Sequence, residues 1–123
     1  MESKTPWVGW SLIAIGILHN AVGVVMGWPI LLEGLAAGGI NVWEETPWRS
    51  FIYWFLICGF ALMLMGGAVV PNERRGEVAS WGWISGLGLL AIGGVVTMPI
   101  SGFWTLLIPL GISVVRRVRA ERE

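Results

Sequence analysis

His19 is the residue of this chain best placed to do chemistry. It stands inside an uncharged stretch running from Trp7 to Trp28, and it is the chain's only histidine. An imidazole can accept or release a proton near neutral pH. Asn20, its neighbour, adds a hydrogen-bonding amide. On a helix, Gly16, His19, Gly23 and Gly27 share one face. Small residues on that face let another helix approach closely, and a polar group at that depth faces protein rather than lipid.

Three carboxylates are candidate acid–base partners for His19: Glu33, Glu44 and Glu45. Arg49, Tyr53, Thr97, Ser101 and Trp104 are candidates to line the same pocket, because each falls at one end of the apolar segments. One imidazole with one carboxylate suits proton transfer on an apolar substrate, as in an isomerisation or cyclisation. Plainer roles stand beside these. A buried histidine can hydrogen-bond across helices and tighten a bundle. Glu44, Glu45 and Arg49 suit a solvated loop edge, and Glu33 suits the polar face of an interfacial helix. Haem ligation by His19 across a homodimer is a further alternative, and otherwise no cofactor is expected. No metal site is expected, since zinc normally takes three or four protein ligands.

Other chemistries find no motif. There is no phosphate-binding glycine loop and no Cys-x-x-Cys, and the chain has no Asp for a Ser–His–Asp set. Cys58 is the single cysteine and cannot form an internal disulfide. The eight basic and eight acidic residues balance, so no basic field for nucleic acid exists.

The elements that must position these residues are apolar helices. The chain is 55% hydrophobic and 13% charged, against ~25% charged in a soluble domain. From Val78 to Val115, 38 successive residues carry no charge. A single helix of that length would measure ~57 Å, and the hydrocarbon core of a bilayer is ~30 Å thick. The run therefore folds back, with Met98-Pro99-Ile100-Ser101-Gly102 as the turn. Two earlier uncharged runs give further spans. The expected fold is an all-α integral membrane four-helix bundle, one domain over 1–123. Its spans are about 7–28, 50–71, 81–98 and 103–118. The outer loop, 29–49, is expected to hold a short interfacial or re-entrant helix that starts near Pro29 and ends at Gly38-Gly39.

Charge sets the orientation. With four spans, both termini and the second loop share one side, which holds seven of the eight basic residues; only Arg49 lies opposite. Basic residues of short loops stay in the cytoplasm, so both termini are expected there. Tryptophans fall near the span ends, where an amphipathic ring prefers the interface.

Leu18-His19-Asn20-Ala21-Val22-Gly23, Phe55-Leu56-Ile57-Cys58-Gly59 and above all Met98-Pro99-Ile100-Ser101-Gly102-Phe103-Trp104-Thr105-Leu106-Leu107-Ile108-Pro109 resemble the small bacterial four-span proteins grouped as the DUF6463 family of unknown function. The resemblance runs over nearly the whole chain. It implies four helices in a bacterial inner membrane and supplies no activity or catalytic residue.

Three functions are expected in competition. The first is a pocket protein or enzyme for a small lipophilic ligand, with membrane lipid around it. The second is a small, dimeric, proton-coupled transporter. Size and glycine content are similar to the small multidrug exporters, although those carry a Glu in the first span where this chain has His19. The third is a structural or accessory membrane subunit.

Overall fold

The computed structural model describes residues 4–123. Among these it is all-helical: α1 (Trp7–Ala36), α2 (Pro47–Arg74), α3 (Trp81–Thr97), a short 3-10 turn η1 (Gly102–Leu106) and α4 (Leu107–Arg122). At ~1.5 Å per residue, α1 and α2 measure ~45 and ~42 Å, and α3 only ~25 Å. Both long helices are apolar enough to cross a membrane, and α3 is a shorter apolar helix.

Glycine, not proline, ends the two long helices. The sequence predicts a separate helix from Pro29 and a second span that ends at about 71. Instead α1 runs through Pro29 to Ala36, and α2 runs through Pro71 to Arg74. Each proline removes one intrahelical N–H, a loss that a long apolar helix packed along a partner tolerates. The stops lie where the backbone turns left-handed. Gly38 and Gly39 have φ of 113° and 74°, and Gly76 has 79°. Gly39 N then donates to Gly34 O at 2.9 Å, and Glu77 N to Asn72 O at 3.0 Å, which closes the free carbonyls of each last turn. The loop between α1 and α2 is therefore 37–46 rather than 29–49, and it holds no helix of its own.

Starts follow cap chemistry. Thr46 accepts from Arg49 N, with Pro47 in the first turn of α2, and Ser80 accepts from Trp83 N at α3. In contrast, α1 is preceded by Pro6, which has no side-chain cap to give.

Packing centres on α1. It lies along α2 through glycines set seven apart. A Cβ on Gly9 would meet Gly66 O at 2.8 Å, and one on Gly16 would meet Gly59 O at 2.6 Å. Helix backbones that close require hydrogen at those positions. Gly23, Gly27 and Gly34 continue the contact against Phe55, Ile52 and Trp43. On its other side α1 meets α4, and α3 packs on η1 and α4. The core there is Val8, Leu12, Ala91 and Leu106.

Much of the outside is apolar. Val25, Met26, Leu64, Leu89, Val96 and Ile100 are each at least 73% exposed. Large apolar side chains exposed in such number are out of place in water.

Candidate functional site

The polar groups fall at three levels. At the end that carries both termini, Glu73 closes the start of α1. Its carboxylate accepts from Val8 N at 3.1 Å and from Gly9 N at 2.7 Å. These N–H groups belong to the first turn of α1 and have no partner on their own helix. α2 thus supplies the cap that Pro6 cannot, with a negative charge at the positive end of the helix dipole. Arg116 of α4 donates through Nη1 to Glu73 and through Nη2 to Thr5 O at 2.7 Å. Glu73 is only 5% exposed, so the carboxylate is both buried and fully paired. A cavity of about 260 Å³ adjoins it, lined by residues that include Asn72, Ser80, Trp83, Ser113 and Arg116. Close by, Glu121 accepts from Trp81 Nε1 at 2.8 Å and from Arg117 Nε at 2.9 Å. The Trp81 hydrogen bond, and then Arg117, hold its carboxyl below the ordinary glutamate range.

His19 occupies the middle level. Its ring stacks on Phe55 at a centroid distance of 3.9 Å and an angle of 13°. Its Nε2 lies 2.9 Å from Phe55 O. A carbonyl only accepts, so this geometry assigns the Nε2–H tautomer. The imidazole is therefore an interhelical tie between α1 and α2. Asn20 faces the notch left by Gly59, and both polar atoms of its amide are buried without a partner.

The third level is the loop end of α1 and α2. Trp43 folds back over Gly34, where a Cβ would collide with its ring. Trp43 Nε1 donates to Gly39 O at 2.9 Å, which fixes the indole in the loop. Tyr53 lies 6.2 Å from Trp43 and meets Trp54 edge-on, at 5.6 Å and 86°. Together with Asn41, Glu44 and Ser50, these three rings line a cup of about 350 Å³. That volume is within the range of small-molecule sites.

The residues expected around His19 are distributed over these levels. Glu33 is on α1 fourteen residues beyond His19, a rise of ~21 Å along one helix, and is exposed. Glu45 pairs with Arg49 at 2.9 Å, and Arg49 Nη1 also reaches Val42 O at 3.4 Å. Glu44 and Tyr53 meet in the cup. Thr97, Ser101 and Trp104 hydrogen-bond within their own hairpin, to Gly93 O, Met98 O and Pro99 O. Among the described residues no three His, Cys, Asp or Glu side chains converge as a metal centre.

A family of unknown function, DUF6463, matches residues 3–120. The chain belongs to the DUF6463 family. No curated protein and no solved structure matches it.

Glu73 and Arg116 of this DUF6463 protein are not among the site residues expected from its sequence. A signal for both was present. Glu73 is the first charge after the uncharged run that follows Arg49, and Arg116 the first after the 38-residue run. Charges at such borders are placed to meet one another at a helix end. Trp43 reads as an interface anchor and Trp54 as part of the second apolar run, and nothing in their spacing marks them as walls of one cup.

Proposed function

We propose that this protein is a four-span protein of the bacterial cytoplasmic membrane, with both termini inside, that binds a small lipophilic molecule in the cup at its outer end. The cup carries the reading: three aromatic rings and one carboxylate around about 350 Å³. Depth supports it. Tyr53 stands twenty residues before Glu73 on α2, a rise of ~30 Å, which equals the thickness of the hydrocarbon core. With the Glu73–Arg116 end at the inner interface, the cup lies at the outer headgroup level. A ligand there can keep its tail in lipid and its head among Asn41, Glu44 and Ser50. The reading is one of binding, since ~21 Å of helix separates His19 from Glu33.

Two measurements test it. Native mass spectrometry of protein released from nanodiscs is expected to show a discrete small-molecule adduct that Tyr53→Ala and Trp54→Ala both lose. An adduct retained by both variants would move the site elsewhere. For orientation, Ile40→Cys is expected to react with an impermeant maleimide on intact cells and Glu77→Cys only after lysis, both in a Cys58→Ser background. The opposite pattern would invert the protein.

A further inference from the structure

The charges at the loop end do not balance, and the imbalance bears on the ligand. That end carries Glu33, Glu44 and Glu45 against one cation, Arg49. Arg49 does not line the cup: its Nη1 pairs with Glu45 at 2.9 Å, its side chain is 14% exposed, and its Nε is buried without a partner. Among the described residues no Lys or Arg lies within ion-pair distance of Glu44. Glu44 is thus an unpaired carboxylate on the wall of a cavity whose other walls are largely aromatic. The rings stand at useful angles. Tyr53 and Trp54 are within 4° of perpendicular, and Trp43 is tilted by 30° from Tyr53, so the faces form a corner rather than a stack. Trp43 is held in place by its bond to Gly39 O and its seat on Gly34. Aromatic faces attract a cation through the ring quadrupole, and an ammonium with methyl groups also gains apolar contact with them. An anionic head would meet Glu44 with no cation to offset it.

We infer that the ligand of the cup bears a positive charge: an alkylammonium head, held between Trp43, Tyr53, Trp54 and the carboxylate of Glu44, on an apolar tail that lies in the membrane. This rests on the reading of the cup as a ligand site and adds the chemical class. Such a head can come from a phospholipid or from a freely diffusing amphiphile.

The test uses three probes of one tail length: hexyltrimethylammonium, its uncharged tert-butyl isostere and hexyl sulfate. Binding to the full chain is read by saturation-transfer NMR in phosphatidylglycerol nanodiscs. The cation is expected to bind about tenfold more tightly than the isostere. Glu44→Gln is expected to remove most of that preference and leave the isostere unchanged, while Trp54→Ala weakens both. Glu44 is exposed in the loop, so its variant keeps the fold. Equal binding of cation and isostere, preference for hexyl sulfate, or a preference that survives Glu44→Gln would each overturn the cationic class. If no probe binds in a Trp54-dependent way, the cup itself is overturned as a ligand site. Discs with half their lipid as phosphatidylcholine, or as a neutral glycolipid at equal surface charge, separate the sources. Competition by phosphatidylcholine assigns the head to a lipid, and its absence assigns a free amphiphile.

Discussion

Replacing Glu73 with Gln removes one charge and little volume, and the structure states what that costs. The carboxylate accepts from Val8 N and Gly9 N and pairs with Arg116. A hydrogen bond to a charged acceptor contributes ~1.5–3 kcal/mol, and a neutral one ~1 kcal/mol. In Glu73→Gln the amide oxygen keeps one of the two backbone donors at the lower value. The amide NH2 then faces the other donor or Arg116, and one buried N–H is left unpaired at ~1–3 kcal/mol. Arg116 loses its counter-ion, but its side chain is 25% exposed, so water limits that part to ~1 kcal/mol or less. The expected loss is ~3 kcal/mol of unfolding free energy. It would be measured by SDS titration in mixed micelles, with α1 helicity followed alongside. Arg116→Gln is the control. It breaks the same ion pair but leaves the α1 cap, so its cost should be no more than about half as large. A Glu73→Gln loss below ~0.5 kcal/mol, the scale of an ordinary surface change, would refute the capping argument. Equal losses in the two variants would show that the ion pair alone holds this end.

Three further outcomes follow from the geometry. Gly16→Ala should cost ~1–3 kcal/mol, because its Cβ would sit 2.6 Å from Gly59 O; Gly86→Ala, with nothing within 4 Å, should be neutral or gain ~0.5 kcal/mol of helix stability. His19→Ala should lose ~1–2 kcal/mol through the stack on Phe55 and the interhelical hydrogen bond, and His19→Phe only ~0.6 kcal/mol, as the stack survives; both should leave ligand retention in the cup unchanged when melting and native mass spectrometry are run together. Glu121 binds its proton less readily in the folded chain than in the unfolded one, so its contribution is complete above the ordinary glutamate pKa and is lost as pH falls through its lower folded value. The Trp81 indole N–H resonance should therefore titrate with a midpoint below 4.5, and Arg117→Gln should raise that midpoint.

The helices were legible in the sequence because apolar runs and the charges that bound them are local. Trp81 and Thr97 bound α3 where Ser80 caps it, close to the expected 81–98. The turn at 98–101 also lies where Pro99 and Gly102 mark it. Proline misled because its local cost is small beside the packing that carries α1 past Pro29. The face of Gly16, His19, Gly23 and Gly27 was legible as a contact face, but not its partner. Only the matching glycines of α2, Gly59 and Gly66, set the antiparallel register. The site was less legible. Spacing placed Glu44, Arg49 and Tyr53 at one end, yet whether Arg49 would neutralise Glu44 or Glu45 depends on the loop backbone, which the left-handed Gly38, Gly39 and Asn41 shape.

Glycine packing also explains why His19 is not the centre of a pocket. A histidine on a helix face of small residues can face a cavity only if the opposing helix stays away. Here Gly16 and Gly59 bring the two backbones together one turn below His19, and Gly23 seats Phe55 one turn above. The imidazole therefore meets a helix wall, and its Nε2–H donates to the backbone carbonyl of Phe55. The same close packing leaves no room for a ligand along the α1–α2 seam. The cup opens where the helices end and the loop 37–46 must return the chain, which gives it loop residues for its polar wall. A variant that parts the helices at Gly23, such as Gly23→Leu, should then do two separate things. It should free the His19 ring from Phe55, visible as a shift in its imidazole resonances. It should leave binding in the cup intact, because Trp43 is anchored by Gly39 and Gly34 rather than by the seam. Loss of cup binding together with the His19 shift would mean that the seam, and not the loop, builds the site.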